Sequence, residues 1–151
     1  MNVIRDEWTG LFNSLAERVS AQGRKRLLFQ MIGDLADITV LNFGAEGIAR
    51  PEPWRALTRK YANKYHQGDR TPKLILTGHL RESFVHTVTS ESATLTNTAD
   101  YADAHQFGEM YRNLPRRGFY PIDSDGQLTD FALARQREIL NAHFEVSTNP
   151  F

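Results

Sequence analysis

The side chains best suited to chemistry lie close together in the chain, at Asp103, His105 and Glu109. On a strand, Asp103 and His105 would project the same way, and Glu109 follows nearby. Two carboxylates and an imidazole are ligand types of catalytic zinc, which takes three protein ligands and a water molecule. The pattern therefore raises two hypotheses, a metal-dependent hydrolase and an acid/base pair.

Other catalytic signatures are absent from the sequence. No two of the five histidines have the i, i+4 spacing that places two imidazoles on one helix face. There is no Gly-x-Ser-x-Gly elbow, no phosphate-binding glycine loop and no cysteine. Asp123 and Asp125 flank Ser124 in an ordinary turn sequence. The simpler interpretation of His105 is a structural histidine, bonded to backbone and packed beside Phe107. We therefore expect no enzymatic activity, no metal and no cofactor.

The bulk composition narrows the class of protein. The chain has 151 residues, with 18 Lys plus Arg against 18 Asp plus Glu, so its formal net charge is zero. Such a chain has no global attraction to nucleic acid or an anionic membrane. No apolar run approaches the roughly 20 residues of a membrane-spanning helix, and the start lacks the pattern of a secretion signal. We expect a soluble intracellular protein with one domain, residues 1–151, and no membrane partner.

Basic residues form two local clusters with aromatic residues beside the second. DNA is one candidate partner, because arginine binds phosphates and aromatic rings stack on bases. A neighbouring protein subunit is the other, because arginine and aromatic residues are enriched at interfaces. Zero net charge favours the subunit. The basic residues are Arg24, Lys25 and Arg26, then Arg112, Arg116 and Arg117; the aromatic residues are Tyr111, Phe119 and Tyr120.

The N-terminal third is predicted to be helical. Apolar residues recur at helical spacing in two successive stretches of the chain, and each stretch forms one apolar stripe. A break at Gln22-Gly23, before the basic residues Arg24 to Arg26, separates the two stretches. Two amphipathic helices joined by a short link predict an αα-hairpin. The first stripe is Trp8, Leu11, Phe12, Leu15 and Val19; the second is Leu27, Leu28, Met31, Ile32, Leu35 and Ile38.

The middle of the chain is predicted to form a small antiparallel sheet. A short helix is expected within Arg55–Tyr65, followed by an exposed loop at 66–72. β-branched residues alternate in Phe84–Thr89, and Ala93–Asn97 can pair back through a turn at 90–92. Since one face of this hairpin is only weakly apolar, it is either exposed or covered by a neighbouring subunit.

A C-terminal helix is predicted over Phe131–Val146, with Thr129 or Asp130 as its N-cap. Its apolar residues form stripes on two sides of the helix, whereas a helix on the surface of a monomer needs only one apolar stripe. The second stripe therefore packs either on another element or on a partner subunit. The first stripe is Leu128, Phe131, Ala132, Ile139, Ala142 and Val146; the second is Leu133, Leu140 and Phe144. The order of elements predicts an α+β fold with an N-terminal helical hairpin, a small antiparallel sheet and a C-terminal helix.

Four short motifs follow one another in a recognisable order. The first two are Trp54-x-x-Leu57 and an apolar run leading to Thr77-Gly78-x-Leu80-Arg81 and Ser83. The next two are Tyr101-Ala102-x-x-His105-Gln106-x-Gly108 and Pro115-x-Arg117. Together they resemble the phage virion morphogenesis (tail completion) proteins of Mu-like and related tailed phages and prophages. The resemblance covers roughly residues 40–122. Two segments depart from the family pattern, 50–53 and 118–122.

The resemblance implies a structural neck protein of a tailed-phage virion, acting in tail completion or head–tail joining. Such proteins assemble as rings with other neck or tail proteins, in virions assembled in the host cytoplasm. It also implies roles for residues: Tyr101, His105, Gln106 and Phe107 would lock a short turn or helix onto the sheet, with His105 bonded to backbone. Gly78 and Gly108 would supply glycine-specific backbone conformations. The residues expected to face a subunit or passing DNA are Arg112, Arg116 and Arg117. The alternatives are a DNA-contacting neck protein and the metal-dependent hydrolase.

Overall fold

The computed structural model describes residue 11 and residues 13–45, 53–65, 67–68 and 74–145. Together they confirm the predicted α+β class. The elements are α1 (13–19), α2 (Ala21–Gly44), α3 (Arg59–Tyr65), α4 (His79–Glu82), β1 (Phe84–Val88), β2 (Ala93–Asn97), α5 (Ala102–Phe107), a 3-10 turn (Met110–Arg112) and α6 (Asp130–Phe144).

The two N-terminal helices meet at Ser20 and not at the predicted break, Gln22-Gly23. The Ser20 hydroxyl accepts a hydrogen bond from the Gly23 N–H at 3.1 Å and so caps α2. A Cβ on Gly23 would collide with the carbonyls of Glu17 and Arg18 at the end of α1. The glycine therefore permits close approach of the two helices and does not interrupt the second. Trp8 and Phe12 of the predicted first stripe lie outside the described residues.

Helix α2 extends to Gly44, well beyond the predicted stripe, and spans 24 residues. Among the described residues it is long and apolar enough to cross a membrane, by length and composition alone. The expectation that no stretch approaches that length was therefore wrong. In the fold, α2 packs against both strands and against α6. Its Asp34 carboxylate binds Arg135 at 2.7 Å and Gln136 at 2.9 Å, both on α6. These contacts hold α2 against the sheet and against α6.

The predicted hairpin is confirmed, with β1 and β2 antiparallel in a register that pairs Phe84 with Asn97 and Val88 with Ala93. The face that carries Phe84 and Val88 is half-buried and lies towards α2, where the His86 ring contacts Phe29 edge-on at 6.1 Å. The opposite face is exposed. The weakly apolar face is thus exposed in the single chain, and its coverage by a neighbouring subunit stays a prediction.

Helix α6 begins after Thr129, whose hydroxyl accepts from the Ala132 N–H at 3.4 Å and settles the predicted choice of cap. Ala132 and Gln136 are buried, whereas Phe131, which shares the predicted first stripe of this helix with Ala132, is 49% exposed. A polar residue occupies the buried face because Asp34 accepts the Gln136 amide. In the second stripe Leu133 is half-buried, while Leu140 and Phe144 are each 39% exposed. Val146 lies outside the described residues.

Aromatic rings from distant parts of the sequence form the core around Phe43, which is fully buried near the end of α2. Its ring stacks on Phe119 at 5.7 Å and meets Trp54 and Phe84 edge-on at 5.8 and 6.0 Å. Such geometries add to the free energy of burial. The Phe43 ring therefore joins α2 to the hairpin and to two irregular segments.

Replacing Phe43 with alanine should lower the free energy of unfolding by about 3–5 kcal/mol, because the cavity cannot close around three other rings. Leu41→Ala on the same helix is the matched control, since Leu41 is 48% exposed and surface changes stay within about 0.5 kcal/mol. Urea unfolding followed by circular dichroism measures both. Equal losses in the two variants would contradict the assigned core.

Candidate functional site

The motif residues of the sequence converge on residues 117–120, here called the central segment, which lies outside any helix or strand. Gln106 on α5 is 1% exposed, and its Oε1 accepts hydrogen bonds from the N–H groups of Phe119 (2.9 Å) and Tyr120 (3.1 Å). One side chain thus satisfies two backbone donors that no strand partner satisfies. Gln106 therefore anchors α5 to the central segment, whereas the expected anchoring was to the sheet.

Two further side chains bind carbonyl groups of the central segment. The Trp54 indole N–H donates to the Gly118 carbonyl at 2.9 Å, and the Asn42 amide donates to the Phe119 carbonyl at 2.9 Å. Both side chains are buried. Sequence reasoning missed Asn42, whose signal was a lone amide within the apolar run Val40–Phe43.

Arg117, in the central segment itself, is 5% exposed and donates from Nε to the Arg55 carbonyl at 3.1 Å. It therefore connects the central segment to the residues that follow Trp54. The expectation that Arg117 faces a subunit or DNA was wrong. A planar guanidinium suits this position because it can satisfy buried carbonyls in a fixed geometry.

Glycine is required at two positions of the site. Gly108 ends α5 with φ 77°, and a Cβ there would lie 2.8 Å from the backbone nitrogen of Arg116. Gly78 precedes α4 with φ 83°, in the left-handed region. Beside it, the Thr77 hydroxyl accepts from the His79 N–H at 3.3 Å. The chain can therefore turn tightly at both motifs.

His105 differs from its expected role. Its Nδ1 is buried and has no hydrogen-bond partner among the described residues, so the expected bond to backbone is not formed at that atom. The ring meets Tyr101 edge-on at 5.8 Å, while Phe107 is 64% exposed and does not cover it. Burial lowers the pKa of the imidazole, and the positive charge of Arg117 lowers it further. His105 is thus held in its neutral form.

The metal hypothesis required Asp103 and His105 to project the same way, as on a strand. Both lie instead on helix α5, where residues two apart point about 200° away from each other. Within 13–45, 53–65 and 74–145, no group of three His, Cys, Asp or Glu residues is placed to hold a metal ion. The structure therefore does not bring Asp103, His105 and Glu109 together as ligands.

Beside the central segment lies a cavity of about 500 Å³, here called the cavity. Its walls are largely leucine and tyrosine, and the basic groups that reach it are His79, His105, Arg112 and Arg117. Its described lining residues include no carboxylate. Eight of the fourteen residues named in the four motifs line it: Leu57, Thr77, Gly78, Leu80, Tyr101, His105, Pro115 and Arg117.

The N-terminal basic cluster is largely engaged within the chain. Arg24 donates to the Val19 carbonyl at 2.6 Å and to the Ser90 carbonyl at 3.1 Å. Arg26 pairs with Glu17 at 3.0 Å, and Lys25 is exposed. Two of the three cations therefore stabilise the junction of α1, α2 and the hairpin turn.

The second basic cluster is divided by burial. Half-buried Arg116 donates to the carbonyls of Gln106 (3.2 Å) and Asp123 (2.8 Å), so its guanidinium acts inside the fold. Arg112 keeps 72% of its side chain exposed and lies 3.4 Å from the Glu109 carboxylate. Of the three arginines in this second cluster, Arg112 is the one whose side chain is exposed.

Comparison with known proteins finds a match to one family model. The model of the phage virion morphogenesis family matches residues 6–140, which includes every motif described above. No curated protein and no solved structure matches the chain.

Replacing Gln106 with leucine should destabilise the fold by about 1–3 kcal/mol for each backbone N–H group left without an acceptor. The measurement is chemical denaturation, with Gln30→Leu as the control, since Gln30 is exposed on α2 and should change stability by less than about 0.5 kcal/mol. An unchanged midpoint for Gln106→Leu would show that the central segment does not depend on this side chain.

Acidification should destabilise the protein through His105. Because its folded-state pKa is depressed, its contribution is fully present above the unfolded pKa, about 6.5. That contribution is lost as the pH falls through the lower folded-state pKa. Between pH 7.5 and pH 5, the free energy of unfolding measured with urea should fall less for His105→Phe than for the wild type. Leu41→Ala on α2, which removes no titratable group, should keep the wild-type loss; equal losses in all three proteins would refute the assignment.

Proposed function

The chain belongs to the phage virion morphogenesis family, and from this premise we propose that it acts at the head–tail junction, in tail completion or head–tail joining. Family membership places it in the assembly of the phage virion, where it interacts with other virion proteins. The match over residues 6–140 is the observation that carries the proposal.

The use of the polar motif residues supports a structural and not a catalytic role. Gln106, Trp54 and Arg117 all bind backbone groups of the same chain, and their donors and acceptors therefore fix the architecture. A hydrolase would need its polar groups directed at a substrate and mutually in hydrogen-bond reach. We propose that these motif residues shape a binding surface.

We further propose that the chain assembles into a homo-oligomeric ring within the neck. Exposed apolar side chains occur at Met110 and Tyr111 and, on α6, at Phe131, Leu140 and Phe144. Such residues at a protein surface are typical of interaction sites. A closed ring uses a heterologous interface, in which two different patches meet on neighbouring copies.

Protein is a better-supported partner than DNA for the basic clusters. Arg24 and Arg26 are bonded within the chain, and Arg117 is buried. Binding to phosphates depends on several free cations acting together. The zero net charge of the chain adds no general attraction to DNA.

The test is removal of the gene from the phage or prophage that encodes the chain. After induction, electron microscopy of the lysate should show filled heads and separate tails in place of complete virions, and infectivity should be lost. Expression of the wild-type chain in trans should restore joined particles.

Complete, infectious particles without the chain would contradict the junction role. A lysate with heads and no tails would move its action to an earlier assembly step.

A further inference from the structure

A short turn after α5 displays apolar side chains directly to solvent. Met110 and Tyr111 are 96% and 97% exposed, and Phe107 at the end of α5 is 64% exposed. These three side chains are here called the projection. Met110 and Tyr111 are far more exposed than the other large apolar residues of the described chain, and Phe107 is slightly more exposed than the next, Phe29 at 60%.

The backbone holds the projection in place. Glu109 and Leu114 exchange two hydrogen bonds, each 2.9 Å, which close the turn at its base. Asn113 completes the turn in the left-handed conformation, with φ 52°. Exposed methionine and tyrosine on such a closed turn are typical of the anchors of protein interfaces, since both are enriched there.

The surface around the projection is acidic. A shallow depression beside Phe107 is lined by Asp100, Asp103 and Glu109 and also by Arg112. Arg112 lies 3.4 Å from the Glu109 carboxylate, so the remaining two carboxylates give this surface negative charge.

The wall of the cavity is mainly apolar and includes Leu74, Leu76 and Leu114, with no carboxylate among its described lining residues. Arg112 lines both the cavity and the acidic depression. Helix α3, which supplies Tyr61 to the wall, carries the exposed cations Arg59, Lys60 and Lys64 and no acidic residue. A volume of about 500 Å³ is in the range of sites that enclose a small group of side chains or a ligand.

We propose that the projection of one copy of this chain docks in the cavity of a second copy. The apolar side chains of the projection fill the leucine-lined space. The acidic surface around them faces the cations of α3, which orients the two copies. This inference rests on the proposed self-association and assigns the surfaces that form it.

The absence of cysteine from the chain permits a direct test by disulfide crosslinking. Tyr111→Cys and Leu76→Cys are made in two separate chains of different tagged length, and the two purified proteins are mixed and oxidised. A disulfide between the two chains should form in the mixture. The control replaces Tyr111→Cys with Val85→Cys, a 51% exposed position on the outer face of the hairpin, and should give little crosslink with Leu76→Cys.

A second measurement tests the self-association of the chain separately from the docking surfaces. Analytical ultracentrifugation of the otherwise unmodified chain should show self-association, weakened at least about tenfold in Met110→Ser/Tyr111→Ser. These residues are so exposed that the fold should be retained, which circular dichroism checks.

The outcomes separate the two proposals. If the wild type self-associates but the serine variant does so equally and no mixed crosslink forms, the docking surfaces are wrong and self-association stands. The docking is also wrong if Leu76→Cys crosslinks to Val85→Cys as strongly as to Tyr111→Cys. If the wild type stays monomeric at every concentration, both proposals are wrong, even if another virion protein covers the projection.

Discussion

The fold depends on how the buried polar groups of the central segment are satisfied. Residues 117–120 have no strand partner, yet a buried N–H or C=O group without a hydrogen bond costs free energy comparable to a lost bond. Asn42, Trp54 and Gln106, from three separate parts of the chain, supply the missing partners. The same contacts bring α2, the segment before α3 and α5 to one place, so satisfying the backbone also assembles the molecule.

The aromatic core and the cavity follow from that arrangement. With its carbonyl group hydrogen-bonded, Phe119 stacks its ring on Phe43 and fills the space under the hairpin. Gly108 allows α5 to approach the chain at Arg116 without a clash. Arg117, held by the Arg55 carbonyl, then forms part of the cavity wall. The motif residues therefore act together, some by anchoring the central segment and others by shaping the surface beside it.

Local signals allowed the hairpin and the Thr129 cap to be predicted from the sequence, because β-branched alternation and hydroxyl capping act over a few residues. The start of α2 was misplaced, since the reason for Gly23 is its contact with α1 and not its own helix propensity. The same limit explains Gln136, buried because Asp34 binds it across α2, and His105, whose anchoring role is taken by its neighbour Gln106. Asp103 and His105 suggested a ligand pair only while the segment was assumed to be a strand.

Charge is distributed in a way that suits assembly. With a net charge of zero, copies of the chain have no general self-repulsion to overcome on approach. The local distribution is uneven: Asp100 and Asp103 lie beside the projection, α3 carries three cations and no acidic residue, and Arg112 lines both the acidic depression and the cavity. Attraction between unlike regions and repulsion between like ones favours one orientation over the others. A neutral chain with such an uneven local distribution of charge is suited to the self-association proposed above.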